Sequence, residues 1–326
     1  MKLPPLAELQ YVSHPFEVHL KSDFGGVKTR PGLVFRGPAG YGEFAPFKHH
    51  SPEHAALWLQ AAIEMAYDPV LPLKRQEIPI NGIVPMMPLD DIPKYVKTVS
   101  AQGVTSFKVK CGSEDFADDF ARVMAVRESA QLSSIRIDVN GKWDVMQAKE
   151  RIFELNAFAT LEYVEQPVST IEEMTQLRNL VDVPLAIDEN IRLSTGISSR
   201  DLQMAADIAI LKAIPSGGVR KALEIAEKID MPIVVSGSMD TSIGLTTGLL
   251  LAANVEDLYG ACGLGTGNLL ETDIADTVLP ERGVIQVQNA KINTMLLEQS
   301  AWKMEQAEKD FWNNHLVTCY EILEQM

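Results

Sequence analysis

Ile135-Arg136-Ile137-Asp138 is a short β-type run that ends in an acidic residue. The pattern recurs twice further along the chain, where Glu165 follows the run 161–164 and Asp188 follows the run 184–187. The first two acids are 27 residues apart and the last two are 23 residues apart. Such spacings accommodate a strand, a helix and two loops, so the acids are predicted to lie on successive strands of a repeating β/α unit.

Eight apolar runs recur between residues 81 and 270, with helical patterns such as 116–130 and 145–158 between them. The runs are residues 83–86, 106–109, 135–137, 163–164, 185–187, 208–211, 233–235 and 258–260. They predict the α/β class, with a (β/α)8 barrel as the architecture and a doubly wound open sheet as the weaker alternative. In a barrel the strand ends converge on one face, where active sites are built.

The segments on either side of the repeat predict a smaller α+β domain. Residues 1–80 contain strand-like runs at 16–20 and 33–36, a glycine-punctuated turn at 40–43, and a helix that begins at Ser51-Pro52, a suitable N-cap and first turn. Residues 271–326 contain a strand-like run at 282–287 and a helical tail. We therefore expect a domain over residues 1–80 that is completed by 271–326, with the barrel at 81–270.

The composition narrows the possible partners. A net charge of −15 supplies no basic surface for nucleic acid. No apolar run is long enough to span a membrane, and three cysteines without C-x-x-C spacing favour a reducing cytoplasm over a disulfide or zinc scaffold. The sequence predicts a cytoplasmic enzyme that acts on a small molecule, and it gives no indication of oligomeric state.

Lysines accompany the acids. Lys108 and Lys110 are two residues apart in one predicted strand, so their side chains share a face and enter the barrel about 7 Å apart. Lys212 follows the run 208–211 about four strands further round, and would approach a bound substrate from the opposite side. Two ammonium groups this close disfavour each other's charge, so we expect one of them to be neutral and to serve as a general base.

Converging carboxylates at Asp138, Glu165 and Asp188 need a cation. The pattern includes no histidine or cysteine, so the donor set favours a hard ion, and we expect Mg²⁺. Such a site suits removal of a proton next to the carboxylate of a small-molecule substrate, a reaction whose barrier enzymes typically lower by ~8–23 kcal/mol. The metal would stabilise the negative charge that develops, and a lysine would take the proton.

A set of motifs together resembles the enolase superfamily, in its muconate-lactonising-enzyme-like branch. The motifs are Lys108-Val109-Lys110, Asp138-Val139-Asn140-Gly141-Lys142-Trp143, Glu165-Gln166-Pro167, Asp188-Glu189-Asn190, Lys212 and the turn Gly40-Tyr41-Gly42-Glu43. The resemblance implies an N-terminal capping domain over a modified barrel, Mg²⁺ on the three acids, and acid/base lysines at Lys110 and Lys212. Asn190 is a departure, because the branch commonly has serine there.

Three further segments, at 36–47, 236–244 and 262–266, look most like the dehydratases of this branch that form o-succinylbenzoate in menaquinone biosynthesis. The resemblance implies syn dehydration of a succinyl-hydroxycyclohexadiene carboxylate, in which Lys110 removes the α-proton, Lys212 stabilises the enediolate from across the ring, and Lys108 tunes Lys110. The implied substrate-binding residues are Arg136, Asn140 and the turn Ser236, Gly237 and Ser238, whose backbone N–H groups would hold the succinyl tail.

The same residues fit other activities. A racemase or epimerase of N-succinylamino acids or dipeptides would use the two lysines as bases on opposite faces, while a muconate cycloisomerase or a noncatalytic barrel would share the fold. The loops at 20–50 and 236–244 are expected to decide the substrate. His50 and His54, spaced i, i+4 without an HExxH pattern, are interpreted as the polar start of a helix, and Trp58 as a packing residue.

Overall fold

The computed structural model describes residues 2–193 and 198–326. Its strands are β1 (Ser13–Phe24), β2 (Val27–Arg36), β3 (Tyr41–Phe44), β4 (Glu77–Pro79), β5 (Gly82–Val84), β6 (Ser106–Lys110), β7 (Ser134–Asp138), β8 (Leu161–Glu165), β9 (Leu185–Ile187), β10 (Ile208–Leu211), β11 (Ile233–Val235) and β12 (Val284–Gln286). Its helices are α1 (Leu6–Val12), α2 (Pro52–Tyr67), α3 (Ile92–Ser100), α4 (Phe116–Ser129), α5 (Val145–Ala159), α6 (Ile171–Arg178), α7 (Glu189–Leu193), α8 (Ser199–Ala205), α9 (Val219–Ile229), α10 (Ser242–Asn254), α11 (Thr294–Lys303) and α12 (Gln306–Gln325).

Strands β5 to β11 form a curled parallel sheet in which each strand pairs with the next one along the chain. Their residues are almost all buried, because side chains fill the interior on one face and helices cover the other. The helices predicted at 116–130 and 145–158 are α4 and α5. An α/β barrel with a preceding antiparallel sheet is therefore confirmed.

The eighth predicted strand, at residues 258–260, is wrong as a regular strand. Gly260 has a φ of 55°, which breaks the extended conformation. The segment nevertheless closes the ring through single bridges, since the backbone N–H of Tyr259 donates to β11 at 2.8 Å and that of Cys262 donates to β4 at 2.7 Å. The eighth position of the barrel is thus filled by irregular chain.

The N-terminal sheet pairs β1, β2 and β3 antiparallel, with α2 packed against it. Helix α2 begins as predicted, with Ser51 as the N-cap residue. The turn predicted at 40–43 is mostly strand β3, because only Gly40 there has a positive φ. Gly42 has a different use: a Cβ atom at this position would lie 2.1 Å from the carbonyl oxygen of Ala62, so its absence lets α2 pack directly on the strand.

The C-terminal segment contacts both parts of the molecule. Strand β12, shorter than the run predicted at 282–287, pairs antiparallel with β4 beside the barrel. Helix α12 packs on α2 and β3, where Trp312 is 1% exposed and meets the Phe44 ring edge-on at 6.0 Å. The domain limits at residues 80 and 270 stay a prediction. In the described part of the chain, no helix combines the length and the apolar character needed to cross a membrane.

Candidate active site

The predicted acids and lysines meet at the carboxyl ends of the barrel strands. The register pairs Lys110 of β6 with Asp138 of β7, and Asp138 with Glu165 of β8. Asp188 directly follows β9, and Lys212 directly follows β10. Because parallel strands end at the same edge, five side chains from separate stretches of sequence face one another.

Each lysine of this set pairs with a carboxylate. Lys110 Nζ donates to Asp138 Oδ2 at 2.6 Å, and Lys212 Nζ donates to Asp188 Oδ2 at 2.6 Å. Lys108 Nζ lies 2.9 Å from Glu165 Oε2 and 3.5 Å from Asp138 Oδ2. The site therefore neutralises its own buried charge through three acids and three lysines.

Of the two neighbouring lysines, Lys108 is not the one that fits the predicted neutral base. Burial opposes charge on this lysine, but the carboxylates of Glu165 and Asp138 outweigh it and raise the pKa of Lys108. Burial likewise opposes charge on Asp138, yet Lys110 and Lys108 lower the pKa of Asp138 below its usual range. Burial and the nearby Asp138 raise the pKa of Glu165 to about 7.

The three acids fit a hard divalent cation by their chemistry. Asp138, Glu165 and Asp188 offer carboxylate oxygens alone and are buried, where an uncompensated negative charge is costly. In the present arrangement the ammonium groups contact these oxygens, and among residues 2–193 and 198–326 no group of three His, Cys, Asp or Glu side chains is placed to hold an ion. A bound ion would take the place of ammonium contacts.

Asn140 connects the end of β6 to a fourth acid. Its Oδ1 accepts from Lys110 Nζ at 2.8 Å, and its Nδ2 donates to Glu189 Oε1 at 2.9 Å. Burial, followed by the charge of Asp188, raises the pKa of Glu189. Glu189 lines the cavity, a role that the motif Asp188-Glu189-Asn190 does not reveal, because nothing in the sequence shows in which direction its side chain turns.

Asn190, the departure from the branch pattern, is held by Gln166. Gln166 Nε2 donates to Asn190 Oδ1 at 2.6 Å, and Gln166 Oε1 accepts from the backbone N–H of Asp188 at 3.0 Å. Asn190 Nδ2 in turn donates to the carbonyl oxygen of Ser169 at 2.9 Å. The asparagine therefore ties the segments after β8 and β9 together, and a serine would be too short to make both contacts.

The turn after β11 lines the cavity, but its backbone is engaged elsewhere. The N–H of Ser236 donates to β10 at 3.0 Å, that of Gly237 donates to the carbonyl oxygen of Gly263 at 3.0 Å, and that of Ser238 donates to Asp240 Oδ2 at 2.8 Å. The prediction that these N–H groups bind a succinyl tail is therefore wrong in this arrangement. Substrate contact by this turn stays a prediction, and its side chains are the groups that could provide it.

Arg136 lies inside the barrel, away from the cavity lining. It is 1% exposed, donates from Nε to Glu162 Oε2 at 2.9 Å, and also donates to the carbonyl oxygen of Ala261. Its guanidinium group lies 4.8 Å from the centre of the Tyr163 ring. Because Ala261 belongs to the irregular eighth segment, Arg136 joins β7 to the point of closure. Its role in substrate binding stays a prediction, and this placement favours a structural one.

The N-terminal part covers the cavity, whose volume is about 480 Å³. Barrel residues that include Lys108, Lys110 and Lys212 line one side. Residues of the loop before α2 and of its first turns line the other side, among them Phe47, His49, His50, His54 and Trp58. The interpretation of the histidines as only a polar helix start is thus incomplete, because the fold of the first domain turns this helix end towards the barrel.

Comparison with known proteins identifies the family. The Enolase C-terminal domain-like family matches residues 92–291, and the Enolase N-terminal domain-like family matches residues 16–66. The chain belongs to the enolase superfamily. Over 321 residues it is 38% identical to an o-succinylbenzoate synthase of Mycolicibacterium smegmatis, a match that covers 98% of this chain and 99% of the relative. This member of the enolase superfamily is therefore an enzyme.

Solved structures of other enzymes share the fold at low identity. The N-succinyl Arg/Lys racemase from Bacillus cereus has a TM-score of 0.73 at 19% identity, with 88% of this chain and 96% of that chain covered. A dipeptide epimerase from Enterococcus faecalis, complexed with Mg and the dipeptide L-Leu-L-Tyr, has a TM-score of 0.69 at 18% identity, with 85% and 96% covered. These similarities establish the fold alone, which a racemase and an epimerase share.

Proposed function

We propose that this enzyme is an o-succinylbenzoate synthase, which removes water from 2-succinyl-6-hydroxy-2,4-cyclohexadiene-1-carboxylate. The observation that carries the proposal is a cavity lined by both Lys110, at the end of β6, and Lys212, after β10, in a chain that a relative of this activity matches almost end to end. The cavity volume of about 480 Å³ falls within the usual ~300–1,000 Å³ of small-molecule sites. Charged lysines on the wall give an acidic protein a local attraction for a carboxylate substrate.

In the proposed reaction, Lys110 acts as both base and acid. Its neutral amine takes the proton α to the carboxylate, and the electron pair of the C–H bond is delocalised as an enediolate. The same lysine, now an ammonium ion, returns a proton to the hydroxyl group on the same face of the ring. The hydroxyl group leaves as water with the electrons of its C–O bond, and the new double bond completes the aromatic ring.

Lys212 supplies a fixed positive charge from the opposite wall and stabilises the enediolate without moving a proton. Lys108 keeps its charge beside Glu165 and Asp138, so it tunes the field around Lys110 and does not compete as a base. Asn140 orients the Lys110 amine through its 2.8 Å contact. The histidines and Ser238, which also line the cavity, are the proposed surroundings of the succinyl tail.

Asp138, Glu165 and Asp188 are the proposed ligands of Mg²⁺, which would supply positive charge next to the substrate carboxylate and lower the energy of the enediolate. The proposed pathway is menaquinone biosynthesis, and the proposed location is the cytoplasm, in keeping with three cysteines that form no disulfide.

Racemisation of an N-succinylamino acid is the second candidate. It is favoured by the same placement of Lys110 and Lys212, because two bases on opposite faces of one carbon can each remove and return a proton. Dehydration needs one lysine to act twice, whereas racemisation needs both lysines to exchange protons. The two candidates therefore differ in what Lys212 does.

The testing experiment offers purified enzyme the cyclohexadiene carboxylate, with and without Mg²⁺, and records formation of o-succinylbenzoate. A parallel assay incubates N-succinylamino acids in D₂O and follows exchange of the α-proton from each enantiomer. Metal-dependent aromatisation supports the synthase. Racemisation without aromatisation would reject it in favour of the second candidate, and no reaction with either substrate would reject both.

A further inference from the structure

A buried ion pair on α4 lies outside the cavity, next to β6, the strand that ends with Lys110. Asp119 is 0% exposed and Arg122 is 6% exposed, and Asp119 Oδ1 lies 2.9 Å from Arg122 Nη1. The other two buried residues of this helix, Val123 and Val126, are apolar. Burying two charges costs free energy that apolar residues of similar size would not cost, so the pair needs a compensating role.

The pair binds the backbone at the point where β6 ends. Arg122 Nη1 donates to the carbonyl oxygen of Lys110 at 3.0 Å. Asp119 Oδ2 accepts from the N–H groups of Gly112 at 2.7 Å and Ser113 at 3.1 Å. One ion pair therefore binds the last carbonyl group of the strand and the N–H groups of the second and third residues after it.

The backbone of the turn after Lys110 has little room for another conformation. Gly112 has a φ of 93°, and a Cβ atom there would lie 2.9 Å from the carbonyl oxygen of Val139. The N–H of Cys111 donates to the carbonyl oxygen of Asp138 at 2.8 Å. Asp119 and Arg122 thus act on a short segment already bounded by the end of β7, and their contacts decide the remaining freedom of the Lys110 backbone.

We propose that Asp119 and Arg122 are positioning residues that fix the backbone of Lys110 and thereby aim its amine at the substrate α-carbon. The inference rests on the proposed function of Lys110 as the base. Neither residue of the pair lines the cavity, so the pair acts on Lys110 through the strand end. A displacement of about 1 Å in a reacting group can cost on the order of 10²-fold in rate, which makes such support valuable.

Arg127 on the same helix provides a matched control. Its Nε donates to the carbonyl oxygen of Ala159 at 3.0 Å, and its Nη1 donates to those of Gln131 and Ser133, both at 2.8 Å. Arg127 and Arg122 therefore both use a guanidinium group to bind backbone carbonyls from α4. They differ in that the partners of Arg127 lie at the opposite end of the barrel strands, before β7 and β8.

The test compares Arg122→Lys with Arg127→Lys in the full-length enzyme with its metal and substrate. We expect Arg122→Lys to lower kcat about 10- to 100-fold with KM within about twofold of wild type. Arg127→Lys should keep kcat within about twofold while lowering Tm. Equal effects of the two substitutions on kcat, or a change in KM alone for Arg122→Lys, would overturn the inference.

Asp119→Asn keeps the test decisive if Arg122→Lys does not fold, because it preserves side-chain shape. We expect it to lower kcat at least about tenfold and to speed hydrogen exchange at the N–H groups of Gly112 and Ser113. Faster hydrogen exchange together with a wild-type kcat would mean that the pair has only a structural role. That result would overturn this inference and leave the proposed function standing. Absence of turnover in the wild-type enzyme would instead reject the proposed function, on which the inference rests.

Discussion

Lys110 is held by two acceptors, Asp138 and Asn140, that orient its amine at the cavity wall. We expect Lys110→Ala to slow α-proton removal by about 10²- to 10⁴-fold, the usual contribution of a general base. Mg²⁺ binding, measured by calorimetry, should persist because no metal ligand is lost. Exchange of the α-proton with solvent deuterium at the wild-type rate would contradict the assignment. Lys221→Ala, on the surface, serves as the control.

Asp188, which directly follows β9 and pairs with Lys212, is one of the three proposed metal ligands. We expect Asp188→Ala to weaken Mg²⁺ binding at least about tenfold, because the ion loses a carboxylate and Lys212 is left with an uncompensated charge nearby. Titration calorimetry of the variant and of Asp276→Ala, an exposed acid, provides the comparison. Equal affinities for the two variants would remove Asp188 from the ligand set.

At the scale of elements, docking of α12 on α2 and β3 depends on Trp312. This side chain is 1% exposed, and its Nε1 donates to Glu308 Oε1 at 2.8 Å. We expect Trp312→Ala to lower the free energy of unfolding by about 3–5 kcal/mol, because a large cavity is left in a packed cluster.

Trp302→Ala gives the matched control for this helix docking. Trp302 lies on α11 and is 84% exposed, so its removal should change the free energy of unfolding by no more than about 0.5 kcal/mol. Urea denaturation measures both variants. If Trp312→Ala lowered the free energy of unfolding no more than Trp302→Ala does, the C-terminal helices would add little to the stability of the N-terminal domain.

At the scale of the whole molecule, closure of the barrel involves Arg136. We expect Arg136→Met to lower the free energy of unfolding by about 3 kcal/mol, since it leaves Glu162 and the carbonyl group of Ala261 without their partner. Arg178→Met removes the more exposed pair with Asp207 and should cost less than about 1 kcal/mol. A rise in KM of Arg136→Met with unchanged stability would instead support a substrate contact.

The N-terminal domain is joined to the barrel by a buried acid. Glu43 accepts from the N–H groups of Thr241 at 3.2 Å and Gly244 at 2.9 Å, at the start of α10. Burial, and then the charge of Asp240, raise the pKa of Glu43 from 4.5 to about 7. The folded protein therefore holds a proton on this group, or on the coupled pair, that the unfolded chain releases at lower pH.

Because this proton is bound by the folded state, the free energy of unfolding is expected to depend on pH. The contribution of Glu43 to stability is fully present below pH 4.5 and is lost as the pH rises through about 7. Between these two values the folded state binds more protons than the unfolded state. Over that interval, we expect the free energy of unfolding of wild type to fall relative to Glu43→Gln by up to about 3 kcal/mol. Urea denaturation across this range measures it, with Glu43→Gln/Asp240→Asn as a control. Parallel curves for wild type and Glu43→Gln would contradict the prediction.

Much of the fold and of the site was predictable from the sequence. The apolar runs and the spacing of Asp138, Glu165 and Asp188 sufficed because a buried parallel strand must be continuously apolar and its carboxyl end lies on one shared face. The eighth segment was predicted as a regular strand and is irregular, since composition does not reveal the left-handed backbone of Gly260.

The β/α repeat and the identity of the side chains at the strand ends follow from the amino-acid sequence, because both depend on local periodicity. The partners of those side chains depend on how the chain folds. Folding placed Glu165 on Lys108, 57 residues away, turned Arg136 into the barrel, and brought His50 and His54 to the cavity. Charge, burial and exposure of such groups depend on distances between remote segments, which exist only once the chain has folded.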